Sequence, residues 1–154
     1  LDFLPNESFI AFDGVSNPGN VGTIIRTAEW YGIKQVFLGA ESADQFGPKV
    51  VRSSMGSIFR LKVLKKENLA EFLKENFSDV DMYAADSNAK TPVEKLKHSK
   101  KYGIVFGSES HGLSDDMEKL VKYKFVLEGN GSSESLNVAV SAGISLHYFA
   151  KNGK

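Results

Sequence analysis

Short apolar runs alternate with amphipathic stretches along the whole chain. Apolar runs at 9–12, 35–38, 59–64, 81–85, 103–106 and 124–127 predict strands, and the run at 103–106 is apolar enough for a buried central strand. Between and after them, the stretches 21–31, 48–55, 68–77, 91–98, 114–123 and 135–150 predict helices. In the first of these, Val21, Ile24, Ile25 and Ala28 recur at helical spacing, and Gly32 is a stop signal. Asn68 with Glu71, and Thr91-Pro92-Val93-Glu94, read as capping boxes. Ser114-Asp115-Asp116 places acid at the positive end of a helix. So regular an alternation predicts one α/β domain over residues 1–154, a mostly parallel sheet flanked by helices.

In sheets of this kind ligands bind beyond the carboxyl ends of the strands, which singles out the loops 13–22, 107–114 and 128–137. In the first, Gly19 and Gly22 permit tight turning and close approach of a ligand to the backbone. Arg26 follows one helical turn beyond Gly22 and can reach back over the loop. A plain turn capped by Asn20, with Arg26 solvated, fits the same residues. Neither the dinucleotide fingerprint nor the P-loop spacing is present. The second loop carries Glu109 and His111 just after the apolar run, where an α/β enzyme places site residues; a surface acid or a helix cap fits Glu109 too. The third runs from Gly129 through Ser135 and Asn137 into a small-residue helix, whose free N–H groups can hold an anion or polar ligand. Ser135 and Asn137 are also strong capping types.

Composition changes this picture little. Lys plus Arg is 19 and Asp plus Glu is 19, so net charge gives no support for a nucleic-acid partner. Cysteine is absent, which excludes disulfides, thiolate zinc sites and cysteine nucleophiles and fits a cytoplasmic location. The 3 histidines lack metal-ligand spacing, so no metal is expected. No apolar run approaches the roughly 20 residues of a membrane span, so no membrane partner is expected. The first residue is Leu1, and a trimmed start is expected.

Together the three loops are more specific than any one. Asn20-x-Gly22-x-x-x-Arg26, Gly107-x-Glu109-x-x-Gly112 and Ser135-Leu136-Asn137-Val138 resemble, in this order, the three signature motifs of the SpoU/TrmH RNA ribose 2′-O-methyltransferases. These belong to the SPOUT superfamily. The stretch Val51-Arg52-Ser53-Ser54-Met55-Gly56-Ser57, followed by Phe59-Arg60-Leu61, resembles the family between its first two motifs. The resemblance covers nearly the whole chain.

The resemblance implies a C-terminal deep trefoil knot in the sheet, which general topology rules would not select. It implies transfer of a methyl group from S-adenosylmethionine to a ribose 2′-hydroxyl of tRNA or rRNA, by a homodimer with its site near the subunit interface. An N-terminal substrate-binding domain, common in relatives, is expected to be missing from this chain. Asn20, Arg26, Glu109, Ser135 and Asn137 are the implied catalytic cluster, and Ser87, Gly107, Leu127, Gly131 and Leu136 the implied cofactor contacts. In that scheme Gly107 lets the cofactor lie against the backbone and Gly131 supplies the turn of its loop. Leu127 and Leu136 flank the adenosine and bind it through main-chain groups.

A guanidinium is a very poor base, so Arg26 is expected to act as an electrostatic clamp on phosphate and developing alkoxide, held in place by Glu109. Asn20 and Asn137 would orient the ribose or Arg26, and Ser135 would support the loop. Lys49, Arg52, Arg60, Lys62, Lys65 and Lys66 are candidate RNA contacts, with a solvated face as the alternative. In one respect the chain departs from the pattern: Leu127-Glu128-Gly129 stands where the family usually has Ile-Pro-Met, which bears on cofactor affinity more than on reaction type. Two other functions fit less well: a module of the same fold that binds RNA or cofactor without catalysis, and a nucleotide-dependent enzyme of another kind.

Overall fold

The computed structural model describes residues 2–153. Six strands, β1 (Phe9–Asp13), β2 (Gln35–Gly39), β3 (Lys62–Lys66), β4 (Asp81–Ala85), β5 (Tyr102–Gly107) and β6 (Tyr123–Phe125), form one sheet in the order β3-β2-β1-β5-β4-β6. Every pairing is parallel. The helices are α1 (Pro18–Trp30), α2 (Pro48–Ser53), α3 (Leu69–Asn76), α4 (Asp115–Leu120) and α5 (Val138–Asn152).

Alternation along the central strands divides the core into two layers. Ile10, Phe12, Ile104 and Phe106 face Val21, Ile24, Ile25 and Ala28 of α1 and Ala142, Leu146 and Phe149 of α5. Phe9, Ala11 and Val105 face Leu69 and Leu73 of α3 and Met117 of α4. Burial on both faces is why β1, β2 and β5 read as continuous apolar runs rather than alternating ones. At the edges, β3 carries Lys62, Lys65 and Lys66, and β6 is only 3 residues long; both features discourage pairing with further chains. No helix among the described residues is long and apolar enough to cross a membrane.

Five expectations are corrected. The strand placed at 59–64 lies at Lys62–Lys66, because the chain first closes a 3-10 turn, Ser57–Phe59. Gly56, at φ 86°, starts that turn, and Phe59 N–H donates to its carbonyl. The helix placed at 91–98 is a single 3-10 turn, Val93–Lys95. There, backbone groups are committed elsewhere: Val126 N–H donates to Thr91 O, and Val93 N–H donates to Val126 O. The last helix starts at Val138 rather than 135, and the helix placed at 114–123 ends at Leu120, with Tyr123 already in β6. Finally, α1 begins a turn early at Pro18, so Asn17 is its cap, accepting from Asn20 N–H, and Asn20 lies inside the helix.

The early start changes the meaning of Gly22. It is buried in α1 against α2 and faces no open cleft. A Cβ there would overlap the Ser53 hydroxyl and stand 2.5 Å from the Val50 carbonyl oxygen. Gly22→Ala should gain about 1 kcal/mol of helix propensity. The overlap involves backbone, so α1 and α2 must separate, an overpacking cost of about 1–3 kcal/mol or more. Net destabilisation is the expected outcome, read as a lowered urea midpoint at unchanged slope.

Candidate active site

The strand order reverses between β1 and β5, where Asp13 pairs with Gly107. The loops leaving these strands therefore open side by side, the arrangement in which α/β sheets hold ligands. The Asp13 carboxylate ties them together, accepting from Ser114 N–H at 2.7 Å and from its hydroxyl at 3.2 Å. A cavity of about 570 Å³ opens beyond the ends of β4 and β5, bounded on its far side by the start of α5. Its volume falls within the range of small-molecule sites.

At its rim, three residues from three separate segments meet. Asn20 Nδ2 donates to Glu109 Oε1 at 3.1 Å, and Asn137 Nδ2 donates to Asn20 Oδ1 at 3.3 Å. Asn137 is also the N-cap of α5, its Oδ1 accepting from Ala139 N–H at 2.8 Å and Val140 N–H at 3.3 Å. Val138 N–H lies 3.5 Å from Glu109 Oε1. A carboxylate is thus fixed at the positive end of a 15-residue helix, where the helix dipole favours it.

The other expected residues divide. Ser135, Ser87, Gly107 and Leu136 line the cavity with Glu109 and Asn137. Leu127 packs against the core and Gly131 stands exposed, neither lining the cavity. Gly131 has an ordinary φ and open space around it, so no turn here demands glycine. Gly107 also needs to be glycine for a reason within the fold. A Cβ there would stand 2.6 Å from the Gly112 carbonyl carbon, because Ser108 and Gly112 pair and fold the loop back over it. Arg26 is exposed, with no hydrogen bond or ion pair among the described residues. Glu109 holds Asn20 rather than Arg26, correcting the expected Glu109–Arg26 contact.

Reasoning from sequence missed Asp86, Glu118 and Lys124, which line the same cavity. Lys124 Nζ bridges the two carboxylates, 3.7 Å from Asp86 and hydrogen-bonded to Glu118. Asp86 directly follows β4, so a carboxylate at a strand's carboxyl end was the available signal. Among the described residues, no group of three or more His, Cys, Asp or Glu could hold a metal ion.

The candidate RNA cations also divide. Arg60 is committed to Glu29, with Nη2 at 2.9 Å, a pairing that holds the Glu29 carboxyl down at about 2. Lys65 donates to Ser42 O at 3.0 Å, and Lys66 lies over the Phe72 ring, 4.4 Å from its centroid. Lys49, Arg52 and Lys62 are exposed and form no ion pair among the described residues.

Substitutions at Asn137 separate its two roles. Asn137→Ala should cost about 1 kcal/mol through loss of the cap. Asn137→Asp keeps the capping oxygen, loses the donor to Asn20 and sets a second carboxylate near Glu109. Urea denaturation should therefore find the aspartate variant nearer to wild type than the alanine variant, while the aspartate variant still disturbs the site.

Comparison with known proteins places these features in a family. The SpoU rRNA Methylase family model matches residues 7–147. The 23S rRNA (guanosine(2553)-2′-O)-methyltransferase RlmP of Bacillus subtilis is 32% identical over 140 residues, covering 90% of this chain and 56% of that protein. A TrmH-family putative RNA methyltransferase from Porphyromonas gingivalis superposes with a TM-score of 0.84 at 34% identity, covering 94% of this chain and 59% of that one. An AdoMet-bound rRNA methyltransferase from Sinorhizobium meliloti superposes with a TM-score of 0.88 at 29% identity, covering 97% of this chain and 59% of that one. The chain spans about half the length of the curated relatives it matches. It belongs to the SpoU methylase family.

Proposed function

We propose that residues 1–154 form the catalytic domain of an S-adenosylmethionine-dependent RNA ribose 2′-O-methyltransferase. The observation that carries this reading is the Asn137–Asn20–Glu109 chain of hydrogen bonds at the rim of the cavity. The AdoMet complexes of related SpoU and rRNA methyltransferases from Streptomyces viridochromogenes and Sinorhizobium meliloti support the cofactor. The donor set suits it too. Carboxylates of Asp86, Glu109 and Glu118 line the cavity, with Lys124 the one cation among the described lining residues, and complement a ligand bearing ammonium and sulfonium charges.

When bound, S-adenosylmethionine supplies a methyl group on a sulfonium centre, already activated toward displacement. The protein's task is then largely orientation. Asn137 and Asn20 form a pre-set hydrogen-bonding edge for the ribose, and Glu109 fixes their orientation. Ser135 and Leu136 close the cavity from the α5 side, and Ser87 and Gly107 border it from the strand ends. Arg26 is the charge that stabilises the developing alkoxide and grips the adjoining phosphate.

Arg26 lies six residues beyond Asn20, about 9 Å along α1 and about a third of a turn round it. It shares the exposed face of that helix with Thr23 and Trp30, the latter 83% exposed. Beside it runs the α5 face carrying exposed Val140 and Ile144, and the Tyr31 hydroxyl meets His147 Nδ1 at 3.3 Å between the helices. An apolar face of this kind fits a second copy of the chain, so we read the enzyme as a homodimer whose Arg26 acts at the interface.

The implied knot is retained as a proposal. It is supported by the segment between β4 and β5, which touches both later elements. Asp86 N–H donates to Phe125 O at 2.8 Å beside β6, and His98 Nε2 lies 2.9 Å from Phe149 O of α5.

Calorimetry with S-adenosylhomocysteine should find one site per chain, and NAD binding of equal strength would overturn the assignment. RNA from cells lacking the gene should accept a 2′-O-methyl group in single-turnover assays. Arg26→Ala should slow that transfer by roughly 10²-fold or more, the scale for loss of one preorganised charge-stabilising donor, with S-adenosylhomocysteine affinity unchanged. Near-normal transfer would remove Arg26 from the mechanism. Light scattering at high micromolar concentration should give a dimer for the wild type and a monomer for Trp30→Glu; a monomeric wild type would refute the homodimer.

A further inference from the structure

Besides Trp30, Val140 and Ile144, a second set of large apolar side chains stands in solvent. Phe46 is 74% exposed, Met55 65% and Phe59 78%. They are interleaved with cations. Phe46, Lys49, Arg52 and Met55 make an exposed run, with Lys49 and Arg52 three residues apart within α2, Phe46 in the turn before it and Met55 just after it. Phe59 continues it in the next 3-10 turn. Lys49 and Arg52 are among the candidate RNA cations that form no ion pair among the described residues.

Two backbone features hold this ridge in place. The Asp44 carboxylate accepts from Phe46 N–H at 3.0 Å and fixes the turn that presents Phe46. Met55 sits at φ 50°, a left-handed conformation that favours glycine. An unbranched apolar residue held there, 65% exposed, is a local cost without a packing return.

The ridge also leads to the site. A Cβ on Gly19 would stand 3.4 Å from Lys49 Cε, so the Lys49 side chain lies across the start of α1, one residue from Asn20. Aromatic faces spaced between cations complement an unpaired RNA strand, whose bases stack while its phosphates are neutralised. A protein partner would find the cations a poor match for an apolar contact.

We propose that Phe46, Lys49, Arg52, Met55 and Phe59 form a stacking ridge that grips unpaired nucleotides flanking the target ribose and feeds the strand toward Asn20. This rests on the methyltransferase reading for its direction, and on the ridge alone for RNA binding.

The test is fluorescence anisotropy with a labelled single-stranded 12-nucleotide RNA of mixed sequence, run beside S-adenosylhomocysteine calorimetry and sedimentation on the same proteins. Phe46→Ala and Phe59→Ala should each weaken RNA binding by roughly 10-fold, with the salt dependence unchanged, and Phe59→Trp should restore it. Lys49→Ala and Arg52→Ala should each reduce the salt slope by about 0.7, the contribution of one phosphate contact on a single strand. Wild-type affinity in both phenylalanine variants, or no RNA binding by the wild type, overturns the ridge. So does a change of oligomeric state in those variants, which would make the stripe a protein interface. Loss of RNA binding in the variants of a protein that fails to bind S-adenosylhomocysteine would uphold the ridge and refute the methyltransferase reading, so the two failures are distinct.

Discussion

The parallel pairing of β1 with β5 is the constraint from which the site follows. Five residues of each strand are in register, from Phe9 opposite Gly103 to Asp13 opposite Gly107. Both strands are buried on both faces, so their carboxyl ends cannot move apart without exposing the core. Parallel strands leave in the same direction, and the order reverses between these two, so the start of α1 with Asn20 and the loop with Glu109 emerge as neighbours. Helix α5 packs on α1, with Gly143 near Thr27 and Ala142 and Leu146 in the shared core. That contact brings the N-terminus of α5, and with it Asn137, to the same rim. None of the three polar residues is positioned by its own loop.

The central layers were legible in the sequence and the periphery was not, for a physical reason. Strands β1, β2, β4 and β5 and helices α1 and α3 carry their burial in their own residues, so apolar spacing located them to within a few positions. The misplaced elements are those decided by partners distant in sequence. Thr91-Pro92-Val93-Glu94 has every local mark of a helix start, yet its backbone pairs with Val126. The segment near Phe59 has the apolar content of a strand, yet Gly56 turns it before the chain can extend.

The site shows the same division. Resemblance of motifs named Asn20, Glu109 and Asn137, but not which would bond to which. The space a glycine leaves can be claimed by the protein itself. At Gly22 that space belongs to α2, and at Gly107 to the returning backbone of Gly112. Composition bears on the surface in another way. Net charge is zero, yet several cations are spent in pairs such as Lys34–Glu7, Lys101–Asp79 and Arg60–Glu29. What a polyanion meets is the unpaired remainder, and this is unevenly placed, with Lys49 and Arg52 side by side near the site.

The exposure of Arg26 links the proposed dimer to the proposed chemistry. A guanidinium in open solvent interacts weakly with a developing alkoxide, because two unit charges 4 Å apart in bulk water attract by only about 1 kcal/mol. At an effective dielectric nearer that of a covered protein surface, the same pair is worth about 4 kcal/mol. The difference is the size needed for an effect of roughly 10²-fold on rate. One chain provides no such cover, since Arg26 shares an open face with Trp30. A second copy on that face would exclude water from both residues at once. On this reading Trp30 contributes to catalysis without touching substrate, because burying it is what lowers the dielectric around Arg26. Assembly and transition-state stabilisation then depend on the same apolar surface.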